Sequence, residues 1–334
     1  MLTLKVQRTR PIIRQIALGL LTFLLTASCG INSFQPGNQA NGLNTADTAS
    51  SNCRIVQHAV GKTCVPLNPQ RVVTLDPFSL ENVLALGVQP VGFAISPDWL
   101  EKREYLRVRL SGIENAGDHS QPSLEKILAL KPDLILGLEL NSKAAYRQLT
   151  QIAPTVLLNF KTSGQWKEIL MQNADALGKT DVANELMANY YARLNDFKAQ
   201  LGNNLQQLEV SIVRIYLNTI SIYTSDTFIG SIIKDAGLTR PPTQTQAGTL
   251  DISKESLHLA DGDVIFLWSN ETGQVQQDVK AEIAKLRTDP LWKKLKGVQH
   301  NRVYEVPSYW IGSSILTAHA VIDDLFKYLV DEAS

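Results

Sequence analysis

The stretch Thr180–Leu201, TDVANELMANYYARLNDFKAQL, places the strongest single constraint on how this chain can fold. Ala183, Leu186, Met187, Tyr190, Leu194, Phe197 and Leu201 follow one another at gaps of three, four and one. That spacing makes one continuous apolar stripe on a helix. Neither Pro nor Gly interrupts it, Thr180 and Asp181 suit its start, and Gly202 stands just past its end. Such a helix is about 30 Å long, enough to cross a domain. Sequence of similar α/β character lies on both sides, so the helix is expected to be a spine joining two lobes.

The 334 residues suffice for two lobes with cores of their own. The 32 Lys and Arg balance 32 Asp and Glu, and no basic tract occurs, which argues against a nucleic-acid partner. Residues 1–29 read as an export signal: Lys5, Arg8, Arg10 and Arg14 precede the apolar run Ile16–Leu25, which is too short to span a bilayer comfortably. Thr26-Ala27-Ser28-Cys29 resembles a bacterial lipoprotein signal, with Thr26 where Leu is usual. Cys29 is thus expected to be lipidated and to anchor the chain to the membrane; the alternative is a soluble exported protein cleaved nearby. Residues 30–52, rich in Asn, Ser, Thr, Gly and Ala, read as a flexible tether.

Cys53 and Cys64 flank two short strand-like runs around Ala59-Val60-Gly61-Lys62. In an oxidising compartment they are expected to pair across the hairpin. A metal site fails on ligand count, since His58 alone lies nearby.

From there strands and helices alternate at short spacing, the pattern of βαβ units and parallel sheets. Strands are expected at 71–75, 91–94, 133–137 and 155–159, with helices at 78–86, 123–131 and 142–152. Beyond the spine, strands are expected at 210–216, 221–223, 263–267 and 302–306, with helices at 228–236, 253–259, 276–286 and 314–330. The expected fold is α/β: two Rossmann-like lobes with mostly parallel sheets, over 53–178 and 204–313. A backbone helix over 179–203 joins them, and a helix over 314–334 closes the chain.

An internal repeat supports two related lobes. Phe78…Gly87 and Phe228…Gly237 share one spacing. Ser123-x-Glu125-x-Ile127 before Asp133-Leu134-Ile135 matches Ser253-x-Glu255-x-Leu257 before Asp263-Val264-Ile265, position for position.

The phrases PQRVVTLDPFSLENVLALGVQPVGF, SLEKILALKPDLILG, FIGSIIKDAGLTRPP, ISKESLHLADGDVIFLW and NRVYEVPSYWIGSS resemble the helical-backbone (class III) substrate-binding proteins of ABC importers, nearest to the iron–siderophore binders of ferric-citrate or ferrichrome type. The resemblance runs from Asn68 to Leu329. It implies a periplasmic, monomeric receptor that holds a ferric siderophore between its lobes and delivers it to an ABC permease with little closure. It also implies that Glu125 and Glu255 dock onto permease arginines. Their own context agrees: each sits in the first turn of a short helix, where the dipole favours a carboxylate. No resident cofactor is implied, because the iron arrives inside the ligand.

In parallel α/β sheets ligands bind beyond the carboxyl ends of the strands. Candidates there are Phe78 and Trp99 in the first lobe, and Arg214, Tyr216, Trp268, Tyr309 and Trp310 in the second. Arg214 stands out because a charge inside SIVRIYL is costly unless it faces a cleft, a partner or, on an edge strand, solvent. Trp310 and Trp99 are candidate walls, with core packing as the alternative for each. Arg240 and Tyr223 complete the set. The five histidines are scattered, which argues against a dedicated zinc or manganese site. Cobalamin and haem remain alternative ligands. An exported hydrolase is the alternative of a different class, with Asp76, Asp118 and His119 as its polar cluster.

Overall fold

The computed structural model describes residues 52–331 apart from 218 and 270. The expected signal, the Cys29 anchor and the tether lie outside the described residues.

The first lobe carries β1 Cys53–His58, β2 Gly61–Pro66, β3 Val72–Thr74, β4 Gly92–Phe93, β5 Glu114–Asn115, β6 Gly117–Asp118, β7 Gln121–Pro122, β8 Leu134–Leu138 and β9 Thr155–Leu158. The second carries β10 Val210–Tyr216, β11 Thr219–Tyr223, β12 Thr249–Ile252, β13 Val264–Trp268 and β14 Val303–Glu305. The two main sheets have the orders β5-β4-β3-β8-β9 and β12-β11-β10-β13-β14. Each therefore places its third, second, first, fourth and fifth strands side by side, so the sequence repeat is a repeat of topology. The match helices occupy the same place in both: Leu124–Ala129 and the 3-10 turns Lys254–Ala260 each lead into the fourth strand.

The sheets differ in one strand. All pairs in the first are parallel, whereas β11 runs antiparallel to both β10 and β12. The second sheet is still mostly parallel, since β10, β12, β13 and β14 run the same way, and connection length explains the reversal of β11. Two residues separate β10 from β11, enough for a hairpin but far short of a parallel crossover.

Alternation along the strands divides the core. Leu134, Leu136 and Leu138 of β8 and Val264, Phe266 and Trp268 of β13 join one apolar cluster that runs continuously under both lobes. Ile135 packs on the far side of the first sheet, and Ile265 and Leu267 on the far side of the second. The spine helix runs Thr180–Leu201, and its buried Ala183, Tyr190, Leu194, Phe197 and Leu201 belong to the shared cluster. Helix Trp166–Leu177, which the sequence reading left out, packs beside it and stops at Gly178 in the left-handed conformation (φ 67°). Helix Ile315–Phe326 covers the spine from the other side and ends in a π-helical turn, Lys327–Asp331.

The disulfide Cys53–Cys64 closes the β1–β2 hairpin. That hairpin caps the edge strand β9: Ala59 N donates to Leu157 O at 2.9 Å and Thr63 Oγ1 to Thr155 O at 3.1 Å. Backbone groups left open on an edge are thereby satisfied from within the chain.

Candidate functional site

A cavity of about 470 Å³ opens between the lobes. The first lobe lines it with Pro77 and Phe78 after β3, Trp99 and Arg103 after β4, and Lys161–Ser163 after β9. These are the carboxyl ends of parallel strands, where the topology places a site. The second lobe contributes Tyr223, Asp226 and Thr227 at the exit of β11, Gly248 and Thr249 at the entry of β12, and Ile311–Ser313 after β14. The antiparallel β11 thus brings a strand exit and a strand entry to the same wall.

Of the candidates named from sequence, Phe78, Trp99 and Tyr223 line this cavity. Phe78 is braced by Phe160, ring centres 4.6 Å apart. Tyr223 packs edge-on against Trp268 at 4.9 Å, and burial raises its phenol pKa while the charge of Arg214 works the other way. Arg214 stands one layer further out. Its guanidinium lies between the rings of Tyr216 (5.2 Å) and Trp268 (5.3 Å) and donates to Glu271 at 2.8 Å. Glu271 also receives Lys102 of the first lobe at 3.3 Å, so one carboxylate bridges the lobes beside the cavity.

The other candidates do not line the cavity. Trp310 is fully buried rather than a cleft wall: it packs on Phe266 at 4.5 Å, and Nε1 donates to Asp324 at 2.7 Å. Trp268 is likewise buried, behind Arg214 and Tyr223. Tyr309 OH donates to the same Asp324 oxygen at 2.8 Å and does not line the cavity. Arg240 turns inward to Tyr223 O and Gln244 Oε1, and burial pushes its pKa down to about 9. Tyr216 is exposed and reaches the site only through Arg214.

Arg103 is the residue that sequence reading missed. It is 4% exposed, and its guanidinium lies 3.6 Å from the centre of the Trp99 ring. Nε and Nη1 are buried without a hydrogen-bond partner, the nearest carboxylate contact being Glu81 Oε1 at 3.9 Å. Glu81 is itself wholly buried and accepts from Tyr105 OH at 3.0 Å and from Ser314 Oγ. Burial raises the Glu81 pKa, opposed by the charge of Arg103. No helical spacing marks Arg103 in the sequence: Trp99 lies in helix Pro97–Glu101, whereas Arg103 stands in non-helical backbone (φ −133°, ψ 69°) just before helix Glu104–Arg107. Lys102, Arg107 and Arg109 around it carry the same charge without being buried, so residue type alone does not single it out.

The polar cluster held in reserve for hydrolysis is engaged otherwise. Asp76 is fully buried and caps helix Pro77–Ala85, accepting Ser79 N at 2.8 Å and Ser79 Oγ at 2.7 Å. Asp118 Oδ1 accepts Ser120 N at 2.8 Å and Ser120 Oγ at 2.6 Å, closing the β6–β7 turn; His119 Nδ1 lies 3.5 Å from the same oxygen. Among the described residues no group of three or more His, Cys, Asp and Glu is placed to hold a metal ion.

Glu125 and Glu255 lie outside the cavity. Both are exposed, each at the second position of its helical turn after a serine cap position, Ser123 or Ser253. A hydrogen bond from Ser253 holds the Glu255 carboxyl below its ordinary pKa.

The arrangement has known counterparts. The chain is 32% identical over 304 residues to the "Probable siderophore-binding lipoprotein YfiY" of Bacillus subtilis, covering 88% of this chain and 93% of that one. It is 31% identical to the Fe(3+)-citrate-binding protein YfmC of the same organism, covering 86% of this chain and 88% of that one. The crystal structure of Staphylococcus aureus SirA complexed with staphyloferrin B superposes with a TM-score of 0.73 at 29% identity, over 83% of this chain and 98% of that one. The model of the periplasmic binding protein family matches residues 72–310. Two topologically repeated lobes, a helical spine and a cavity between them are therefore those of a chain that belongs to the periplasmic binding protein family.

Proposed function

We propose that this protein is an extracytoplasmic receptor that captures a ferric siderophore between its lobes and delivers it to an ABC permease for iron uptake. The observation that carries this reading is the composition of the cavity wall. Aromatic Phe78, Trp99 and Tyr223 and the cation Arg103 come from both lobes and surround about 470 Å³. Aromatic faces supply contact area and the guanidinium supplies directed donors, which suits a bulky oxygen-rich chelate whose iron needs no protein ligand. Glu125 and Glu255, related by the repeat and both exposed, would meet the permease at two equivalent points. Cys29 would carry the lipid that keeps the receptor at the membrane, and no helix among the described residues is long and apolar enough to cross one.

Trp99 makes the site self-reporting. Intrinsic fluorescence should respond saturably, and without turnover, to at least one class among ferric hydroxamate, ferric citrate-type and ferric catecholate siderophores. Saturable binding of cobalamin or haem, with no response to any ferric chelate, would sink the reading.

A further inference from the structure

We infer that Glu271 is a positioning residue for ligand retention: through Lys102 it clasps the Trp99 wall of the first lobe to the second lobe, and so sets how slowly a bound chelate escapes. The inference rests on the siderophore reading above and adds to it a residue that stands outside the cavity wall.

The carboxylate of Glu271 is shared between the lobes, one oxygen to each. Oε1 accepts from Arg214 Nη2 at 2.8 Å, and Oε2 accepts from Lys102 Nζ at 3.3 Å. The Arg214 side is an anchor within the second lobe. Its guanidinium lies between the rings of Tyr216 and Trp268, and the Glu271 side chain is 7% exposed. The Lys102 side is the crossing. Lys102 has acidic neighbours in sequence at Glu101 and Glu104, yet its ion pair is with Glu271, 169 positions away. A second tie runs beside it, since Ser308 Oγ of the second lobe donates to the Lys102 carbonyl oxygen at 2.9 Å.

What the clasp holds is cavity wall. Trp99 and Arg103, on either side of Lys102 in the chain, line the cavity, as do Ile311, Gly312 and Ser313 shortly after Ser308. Withdrawing Lys102 from Glu271 and Ser308 would carry Trp99 away from the second lobe. The energetics suit a joint that opens. The Lys102 side chain is 25% exposed, and an ion pair at such a site is weak and screened by salt. When it parts, Glu271 keeps Arg214, so no buried charge is left alone. A contact made only once the lobes have closed slows departure of the ligand without speeding its arrival.

The test is stopped-flow tryptophan fluorescence on the intact protein. The probe is whichever of ferric citrate, a ferric tris-hydroxamate and a ferric tris-catecholate wild type binds most tightly. Lys102→Met removes the crossing charge from a partly exposed site and leaves the Arg214 pair in place. It should speed dissociation by about fivefold or more and change association by less than about twofold. Glu271→Gln should speed dissociation likewise, and adding Lys102→Met to it should change dissociation no further, because both remove one contact. Lys102→Arg, which keeps the cation, should dissociate within about twofold of wild type. Raising the salt from about 0.05 M to about 0.5 M should speed wild-type dissociation and leave Lys102→Met unmoved. Hydrogen exchange of the unliganded protein puts the question without a ligand. Backbone amides of residues 97–107 should exchange faster in Lys102→Met and in Glu271→Gln, and those of β8 no faster. A purely local role for Glu271 would loosen its surroundings in the second lobe and leave that first-lobe segment as in wild type. Unchanged dissociation of a chelate that wild type binds, or an effect confined to association, would overturn the clasp and leave the siderophore reading standing. Faster exchange of residues 97–107 in a protein that binds no ferric chelate would keep the clasp and overturn the siderophore reading.

Discussion

Gly164 of the first lobe donates its backbone N–H to the carbonyl oxygen of Asp226 in the second at 3.0 Å, and the approach is so close that a side chain at 164 has no room. A Cβ built there would stand 2.3 Å from that oxygen and 2.9 Å from its carbon, both of them backbone atoms. Around this contact Phe228 N donates to Ser163 Oγ at 3.0 Å and Trp166 Nε1 to Ser231 Oγ at 2.9 Å. The lobes are therefore stitched along a seam as well as joined by the spine. Gly164→Ala should force the seam apart, costing about 1–3 kcal/mol by overpacking. It should also weaken ligand binding, because Thr162, Ser163 and Asp226 line the cavity. Denaturant unfolding and ligand titration of the variant check this. Wild-type values in both would mean that the seam yields freely.

Trp310 separates a core role from a cleft role. Its Nε1 and Tyr309 OH both donate to Asp324, a carboxylate that is 8% exposed. Trp310→Phe keeps a ring against Phe266 and removes one of the two donors. Stability should drop by roughly 1–3 kcal/mol, the cost of depriving a buried acceptor. Ligand affinity should stay within about twofold of wild type by the same reasoning, since the altered bond lies in the core. A variant with unchanged stability and lost affinity would return Trp310 to the cleft.

These residues mark where the sequence was legible. The spine was readable to the residue because an uninterrupted stripe at helical spacing admits one structure, and the repeated Ser-x-Glu blocks located two equivalent lead-ins to the fourth strands. Phe78, Trp99 and Tyr223 were found because residues at strand ends tend to face a cleft. Trp268 and Trp310 follow strands in the same manner, yet they point into the core cluster. Period-two alternation assigns Trp268 to the face it shares with Val264 and Phe266, and that face is core along β13. Side-chain direction, not residue type, makes that distinction. Arg103 failed to stand out for the opposite reason: a buried cation inside KREYLRVRL has the same letters as a solvated one.

Asp76 predicts a pH dependence with a definite sign. Burial raises its pKa from 3.8 to about 6, against the hydrogen bonds from Ser79 that favour the ionised form. The folded state thus binds the proton more tightly than the unfolded chain. The stability linked to this group is fully present below the unfolded value and is lost as pH rises through the folded one. The shift amounts to on the order of 3 kcal/mol, spent between roughly pH 4 and pH 6. Asp76→Asn keeps a cap acceptor for Ser79 N and removes the titration. The stability of the variant relative to wild type should therefore rise across that window in urea unfolding curves. A constant difference from pH 4 to pH 7 would mean that Asp76 ionises as readily in the fold as in solution.

Glu125 and Glu255 give the prediction that separates capture from delivery. Each is exposed, and each stands at the second position of the turn that leads into the fourth strand of its sheet. Neither lines the cavity. As N-terminal acidic residues they add a few tenths of a kcal/mol to their helical turns, up to about 1, so removing both should cost little stability. If they engage permease cations instead, Glu125→Ala combined with Glu255→Ala removes two charge-assisted contacts at once. Ferric-siderophore affinity should then stay at the wild-type value while stimulation of the reconstituted permease and cellular iron uptake collapse. Each single variant should lie between, because a two-point contact that loses one point keeps the other. Charge reversal on the permease side, Arg to Glu at the facing positions, should be rescued in part by Glu→Lys on the receptor, an outcome that a merely helix-stabilising pair could not produce. Loss of ligand affinity in the double variant would assign the pair to the fold or the cleft rather than to docking.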